Sequence, residues 1–87
     1  MIETNNKRRV IQMHPKDNVL VALQDLAAGE NVLFNGENFI LSDTVKAKHK
    51  FYIADLTVGS EVYMYGVLVG KVQHAISKGS LMTTENL

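Results

Sequence analysis

The stretch KHKFYIADLTVGSEVYMYGVLVG, residues 48–70, decides the fold of this chain. Within it, alternate side chains share one face of an extended backbone, so that Phe51, Ile53 and Leu56 fall on the side opposite Tyr52. A period of two is typical of a β-strand whose two faces are buried to different extents. The stretch therefore predicts a strand that starts near Phe51.

A turn and further strands follow this first one. Gly59 can take the positive φ that a chain reversal needs, and alternation resumes over residues 61–65. Residues 67–72 predict another short strand. We expect Gly66 and Gly70 to form a sharp strand corner, because neither the Lys-Ser/Thr pair nor the helix that a phosphate-binding loop requires follows them.

Part of this stretch recurs earlier in the chain at an offset of 30 residues. The matched pairs are Asp25 with Asp55, Leu26 with Leu56, Gly29 with Gly59, and Val32 with Val62. A weaker third copy starts at His74 and aligns Ile76 and Gly79. The repeat indicates a fold built from turn-bearing strand units. We expect each repeated Asp to accept hydrogen bonds from backbone amides of its own turn, which is commoner than a catalytic carboxylate pair.

The rest of the chain adds short strands. Residues 9–13 predict one that ends before Pro15, and residues 80–84 predict another. Residues 19–23 would also suit a helix face, but their β-branched side chains and the repeat favour a strand. Asn35-Gly36 predicts a type I′ hairpin turn between two strands.

With about eight short strands and no long helix, the predicted class is all-β, in a barrel-like or folded-ribbon arrangement. The large apolar side chains expected in the core are Phe34, Phe39, Phe51, Met64 and Met82.

Composition limits the function. Nine Lys and Arg residues balance nine Asp and Glu residues, which removes the charge excess expected of a protein that binds nucleic acid. The chain has no cysteine and no apolar run long enough to span a membrane. We predict a cytoplasmic protein without nucleic-acid or membrane partners. A chain of 87 residues builds only a modest core, so a homo-oligomer is compatible with its size.

The candidate functional residues lie in two predicted loops. His14 shares a polar corner with Asp17 and Asn18, and His49 precedes Lys50 at the start of a predicted strand. A structural alternative exists for both loops, since Asp17 and Asn18 can cap a turn and His49 can be a solvated loop residue. None of the three histidines has the spacing of a metal site, so no metal ligand is predicted.

Three segments carry a family resemblance: HPKDNVLVAL at 14–23, HKFYIADL at 49–56 and YGVLVG at 65–70. They resemble the N-terminal SAF domain of the altronate dehydratase family, which has a β-clip fold. The resemblance covers residues from about 11 to 87 and leaves residues 1–10 as an expected flexible N-terminus.

The resemblance implies a hydro-lyase that acts on a hexonic or hexaric acid such as altronate or galactarate. In the family, the SAF domain is a small subunit or an N-terminal domain beside a catalytic large subunit or C-terminal catalytic domain. That catalytic part would bind a divalent metal, iron or manganese, and this chain would hold no cofactor. The chain alone would be inactive.

The resemblance also assigns residues. His14, Asp17 and Asn18 match the family's HisXXAspAsn motif, and His49 and Lys50 match its GlyHisLys motif. We therefore name His49 and Lys50 as candidate catalytic residues, and His14, Asp17, Asn18 and Tyr65 as candidates for substrate binding or gating.

Two departures from the family pattern stand out. Lys48 replaces the glycine of the GlyHisLys motif. The chain has LMTTEN at 81–86 where the family has HisValHisValHisAsn, so that only Asn86 matches and the ending is closer to the galactarate dehydratase branch.

Our hypothesis is an SAF domain that docks on a metal-dependent sugar-acid dehydratase and walls or gates its active site. The alternatives are a small subunit of a sulfolactate sulfo-lyase, a non-catalytic carbohydrate- or ligand-binding module, and an oligomerisation domain.

Overall fold

A computed structural model of the chain describes residues 9–83 and 86–87. Every regular element in these ranges is a β-strand, which confirms the all-β class. The strands are β1 (Val10–Ile11), β2 (Val19–Ala22), β3 (Asn31–Phe34), β4 (Glu37–Ile40), β5 (Lys50–Tyr52), β6 (Glu61–Met64) and β7 (Val67–Lys71). Across the described ranges there is no helix of the length and apolar character needed to cross a bilayer.

The strands form one three-stranded sheet and two hairpins. The sheet has the order β1-β2-β5 with antiparallel pairing, and Leu20 lies opposite Phe51 in its centre. Leu81 adds a further antiparallel bridge to Phe51 at the outer side of β5. The β3–β4 and β6–β7 pairs are separate two-stranded sheets. Both hairpins thus pack around the central strands β2 and β5.

The two hairpins have the same turn. Asn35 and Gly36 have φ values of 52° and 77°, and Tyr65 and Gly66 have 58° and 77°. Two consecutive positive φ values define the type I′ turn, whose twist matches that of the flanking strands. The turn predicted at Asn35-Gly36 is confirmed, and Gly66 makes a second one. Gly70, in contrast, lies inside β7.

The repeated turns are joined in pairs by isolated β-bridges. An isolated antiparallel bridge joins Leu26 to Val45, and an equivalent bridge joins Leu56 to Ile76. The third copy of the repeat is therefore confirmed at Ile76. A fourth copy, centred on Val45, was not recognised in the sequence. In it, Lys48 has a φ of 75° at the place that Gly79, with a φ of 94°, takes in the third copy.

The expected role of the repeated aspartates as local caps is wrong. Asp25 Oδ1 accepts a hydrogen bond from the Ala47 amide at 2.9 Å, and Asp55 Oδ1 accepts one from the Lys78 amide at 2.8 Å. Each carboxylate thus ties its own turn to the paired turn about twenty residues later, because the bridge brings that turn within reach.

The core lies on both faces of the β2–β5 pair. Leu20 and Phe51 belong to one cluster of buried side chains, and Val19 and Tyr52 belong to a second. Each fully buried side chain of this size contributes about 1.5 to 3 kcal/mol. Ile53 packs with Phe51 as predicted.

Leu56 packs instead with the Tyr52 cluster, so its predicted side is wrong: it lies four residues after Tyr52 and five after Phe51, and a period of two places it with Tyr52.

Two of the predicted strands are shorter than expected, and some of the predicted core residues are only partly buried. The strand predicted over residues 9–13 forms only at Val10–Ile11, and the one predicted over residues 80–84 is a single bridge at Leu81 within the described residues. Phe39 and Phe51 are buried as predicted. Three other predicted core residues are partly buried against the two clusters, namely Phe34, Met64 and Met82. Residues 1–8 and 84–85 lie outside the described residues.

Candidate functional site

The polar corner at residues 14–18 is fastened to the β6–β7 turn by one carboxylate. Asp17 is only 4% exposed, its Oδ2 accepts from the Tyr65 amide at 2.9 Å, and its Oδ1 accepts from the Gly66 amide at 2.8 Å. Hydrogen bonds to an ionised acceptor are about twice as strong as neutral ones. Asp17 therefore holds the turn of the β6–β7 hairpin, although it lies 48 and 49 residues before the two amides that it binds.

Asn18 fastens the same hairpin at its base. Its Oδ1 accepts from the Tyr63 amide at 2.9 Å, and its Nδ2 donates to the Glu61 carbonyl at 2.9 Å. The side chain thus occupies the place that the backbone of a neighbouring strand would take beside β6. The Asn18 carbonyl also accepts from the Ile53 amide at 3.1 Å, which links the corner to the end of β5.

His14 lies against the turn that Asp17 holds. A Cβ placed on Gly66 would come within 2.8 Å of His14 Cδ2, so only glycine fits beneath the ring. His14 Nδ1 accepts from the Lys16 amide at 3.1 Å, which leaves Nε2 as the protonated nitrogen of a neutral ring. The His14 and Tyr65 side chains are both exposed. They are available to a ligand, whereas the polar side-chain atoms of Asp17 and Asn18 are engaged within the chain.

Lys16 is a member of this site that the sequence did not single out. Its Nζ lies 4.9 Å from the centre of the Tyr63 ring, within the range of a cation–π contact. The Tyr63 hydroxyl donates to Glu61 Oε1 at 2.8 Å, and this hydrogen bond raises the pKa of Tyr63 above its usual value. The available signal was the position of Lys16 inside the HPKDN corner.

We call His14, Lys16, Asp17, Asn18 and Tyr65 the corner site. Two of its side chains hold the backbone of a distant turn, and the other three present an imidazole, an ammonium and a phenol at the surface. Such groups can donate hydrogen bonds to carboxylates and hydroxyls.

The other predicted pair lies at the opposite end of the central strands. Lys50 pairs with Val21 in the sheet, and the His49 carbonyl accepts from the Ala22 amide at 2.8 Å, whereas Asn18 precedes the start of β2. Three residue steps along the extended chain separate Asn18 from Val21, which is about 10 Å. The structure therefore does not bring His49 next to His14. His49 is exposed and Lys50 is half-buried.

The C-terminal segment runs beside Lys50. The Met82 amide donates to the Lys50 carbonyl at 2.9 Å, which places the segment with the replaced family histidines next to the second loop. Asn86, the residue retained there, has a structural role: its Oδ1 accepts from the Tyr52 hydroxyl at 3.0 Å and its Nδ2 donates to the Leu81 carbonyl at 2.9 Å. Burial raises the pKa of Tyr52.

A metal ion does not fit the described part of the chain. Residues 9–83 and 86–87 contain no group of three or more His, Cys, Asp or Glu side chains close enough together to hold one. No chemical step is therefore assigned to a metal on these residues.

A groove of about 820 Å³ lies elsewhere, between β1 and β3. Its lining residues run from Arg9 to Gln12 and from Asn31 to Gly36. Next to it, Arg9 forms an ion pair with Glu30. The Ala27 amide, which donates to Glu30, and the Arg9 guanidinium lower the pKa of that carboxyl. None of the predicted site residues lines this groove.

The fold and the corner site define a small all-β domain that contains two similar hairpins and has polar loops at both ends of its central strands. The chain matches the altronate/galactarate dehydratase SAF domain over residues 8–87, and it belongs to that family.

Two curated relatives are altronate dehydratases. The one from Escherichia coli (strain K12) is 38% identical over 69 residues, which cover 79% of this chain and 14% of the relative. The one from Bacillus subtilis (strain 168) is 30% identical over 76 residues, which cover 87% of this chain and 15% of the relative. The chain thus spans only a small part of the length of these relatives.

Proposed function

We propose that this chain is the SAF domain or small subunit of a sugar-acid dehydratase and that it docks on the catalytic polypeptide. The observation that carries the proposal is the family match over residues 8–87. The altronate dehydratase relatives support it, since each contains this segment within a much longer chain.

In this proposal the two loops wall or gate the active site of the partner. His14, Lys16 and Tyr65 form one wall, with Asp17 and Asn18 setting the position of the hairpin that carries Tyr65. His49 and Lys50 form the second. Sugar acids carry a carboxylate and several hydroxyl groups, and cationic and hydrogen-bonding side chains match them.

The chemistry itself belongs to the catalytic polypeptide. That polypeptide would hold the divalent metal, iron or manganese, and the base that removes the proton beside the carboxylate. This chain contributes positioning and exclusion of water, and it is inactive by itself. A cytoplasmic location stays a prediction.

The substrate is a hexonate or hexarate, with altronate and galactarate as the first choices. The LMTTEN ending favours galactarate over altronate, because the histidines of the altronate-type ending are replaced. Sulfolactate is the alternative substrate class.

Reconstitution tests the proposal. The purified chain is mixed with a candidate catalytic polypeptide, and turnover is measured on altronate, galactarate, glucarate and sulfolactate. We expect a complex and a rise in turnover on one sugar acid. Neither a complex nor any change in rate with such a partner would contradict the proposal, and turnover on sulfolactate alone would replace the substrate class.

A second experiment tests the role of the His49 loop. His49→Ala should lower turnover of the reconstituted enzyme by about tenfold or more, without weakening the complex. His74→Ala is the matched control, because His74 is also an exposed histidine in a turn and lies outside both loops. Equal turnover of the two variants would remove His49 from the site.

A further inference from the structure

Strand β7 exposes apolar side chains on both of its faces. Val67 is 60% exposed, Leu68 46% and Val69 39%. Among the described strands, β7 pairs with β6 alone, so no described strand pairs with its second edge, and Leu87 lies against Gly70 near the end of β7. Soluble proteins usually protect such an edge with charges, with proline or with a covering segment, because an apolar edge strand pairs readily with other chains. The sequence of β7 has neither a charged residue nor a proline before Lys71.

The equivalent strand of the other hairpin, β4, begins with two polar residues and exposes one large apolar side chain, Ile40. In β3–β4, the polar Glu37 and Asn38 lie opposite Phe34 and Leu33.

In β6–β7, the positions with the same pairing are occupied by Val67 opposite Met64 and Leu68 opposite Tyr63. Val69 is an additional residue, inserted at the bulge between the pairs formed by Val62 and Tyr63. The two hairpins therefore have the same pairing, but at two exposed positions β4 has polar residues and β7 has apolar residues.

We infer that β7 is the surface through which this domain docks on the catalytic polypeptide of the dehydratase. The β7 patch consists of Tyr65, Val67, Leu68 and Val69, all exposed. The inference rests on the proposed function and adds to it the place of contact. The buried centre of such interfaces is more apolar than the rest of the protein surface, and tyrosine is among the residues that contribute most to the binding free energy.

The length of the relatives identifies the occupant. This chain aligns to 14% and 15% of two altronate dehydratases, so the greater part of each relative is polypeptide that this domain can contact.

The neighbouring corner site points to the same occupant. Tyr65 belongs to both the patch and the corner site, and Asp17 fixes the turn between them. A catalytic polypeptide on β7 would place its own surface beside His14, as a shared active site requires. A second copy of this chain at that place would cover the corner site with a domain whose described residues have no metal-binding group.

The test exchanges residues between the two hairpins. The double variant Val67→Glu with Leu68→Asn gives β7 the residues that β4 has at the same pairing positions, Glu37 and Asn38. Those residue types are already accommodated in this backbone. Thermal unfolding checks that the variant folds, and the dissociation constant is measured with the separately purified catalytic polypeptide.

The control makes the same kind of exchange at another exposed pairing position. Ile40→Lys removes a side chain that is 58% exposed and introduces the residue that β7 has at that pairing position, Lys71. We expect the double variant to raise the dissociation constant by about tenfold or more, and Ile40→Lys to change it by less than about twofold.

The possible failures are distinct. If the wild-type chain neither binds the catalytic polypeptide nor changes its turnover, the proposed function fails and the docking surface with it. If the wild-type chain binds and the double variant binds equally well, only the assignment of β7 is wrong. If the chain alone dimerises in sedimentation, and the double variant abolishes the dimer without affecting the complex, a second copy covers β7 and the inference is overturned.

Discussion

The β3–β4 and β6–β7 hairpins share one backbone and differ in what holds it. Both have a two-residue turn with nearly the same pair of positive φ values. The first turn, Asn35-Gly36, is made of residues that adopt this conformation readily, and the space beside Gly36 is open. The second, Tyr65-Gly66, contains a tyrosine in a conformation that costs it about 1 to 2 kcal/mol. A buried carboxylate offsets that cost by binding both turn amides.

The first hairpin is thus fixed by local sequence and the second by tertiary contacts. Because residues elsewhere in the chain hold this turn, its own residues can serve other roles. The turn contains Tyr65 and is followed by the apolar strand β7. Four sets of substitutions test this division, and they are ordered by the expected effect of the first variant in each set.

Asp17→Ala should have the largest effect. It removes the charged acceptor of two part-buried amides and should lower the free energy of unfolding by about 2 to 4 kcal/mol. Urea unfolding measures the loss, and amide hydrogen exchange locates it: exchange should speed up at Tyr65 and Gly66 and stay unchanged at Gly36 in folded protein. Equal exchange at both turns would show that the second hairpin does not depend on Asp17.

Gly66→Ala and Gly36→Ala form a matched pair, since both glycines have a φ of 77°. Each should lose about 1 kcal/mol from backbone strain. Gly66→Ala should lose about 1 kcal/mol more, because its Cβ would meet the His14 ring at 2.8 Å, whereas nothing lies within 4 Å of the Cβ at Gly36.

The double variant His14→Ala with Gly66→Ala isolates that contact. In urea unfolding, the loss of stability in the double variant minus the loss in His14→Ala alone should be about equal to the loss in Gly36→Ala. If removal of the imidazole does not relieve the Gly66→Ala penalty, His14 does not pack on the turn.

Tyr65→Asn gives the second turn the residue of the first. Since asparagine adopts a positive φ more easily, the variant should be more stable than the wild type by about 0.5 to 1 kcal/mol in urea unfolding. The same variant should bind the catalytic polypeptide more weakly, because it removes an exposed aromatic side chain from the β7 patch. A loss of stability would mean that Tyr65 makes packing contacts that outweigh its strain.

Lys48→Gly applies the same reasoning to the repeated turns and should have the smallest effect. Lys48 has a φ of 75°, and glycine, as at Gly79, relieves the strain while it also raises the entropy of the unfolded chain. We expect a net gain of about 0.5 kcal/mol in urea unfolding. Gly79→Lys is the reverse exchange and should be strongly destabilising, because a Cβ there would lie 2.3 Å from the Ile40 carbonyl oxygen.

Features encoded by neighbouring residues could be predicted from the sequence. The Asn35-Gly36 turn, the alternation around Phe51 and the all-β class all follow from local residue preferences. The fourth copy of the repeated turn was missed because Lys48 occupies the place of the glycine that marks the others.

Contacts between distant residues could not be predicted. Asp17 lies 48 and 49 residues before the two amides it binds, and its neighbours in sequence suggest only a local turn cap. The same limitation made the predicted local role of Asp25 wrong, since its partner is in another turn. The His14 and His49 loops were both identified, but their separation along β2 depends on strand pairing that the motifs do not reveal.

The paired turns have a consequence for folding kinetics. The bridge from Leu26 to Val45 closes one half of the domain, and the bridge from Leu56 to Ile76 closes the other, before any contact between halves is needed. The pairing of Leu20 with Phe51 joins the halves over a longer stretch of chain. Short loops close at lower entropic cost, so each half can form before β2 meets β5, and stopped-flow refolding should find the β2–β5 contacts to be the last formed.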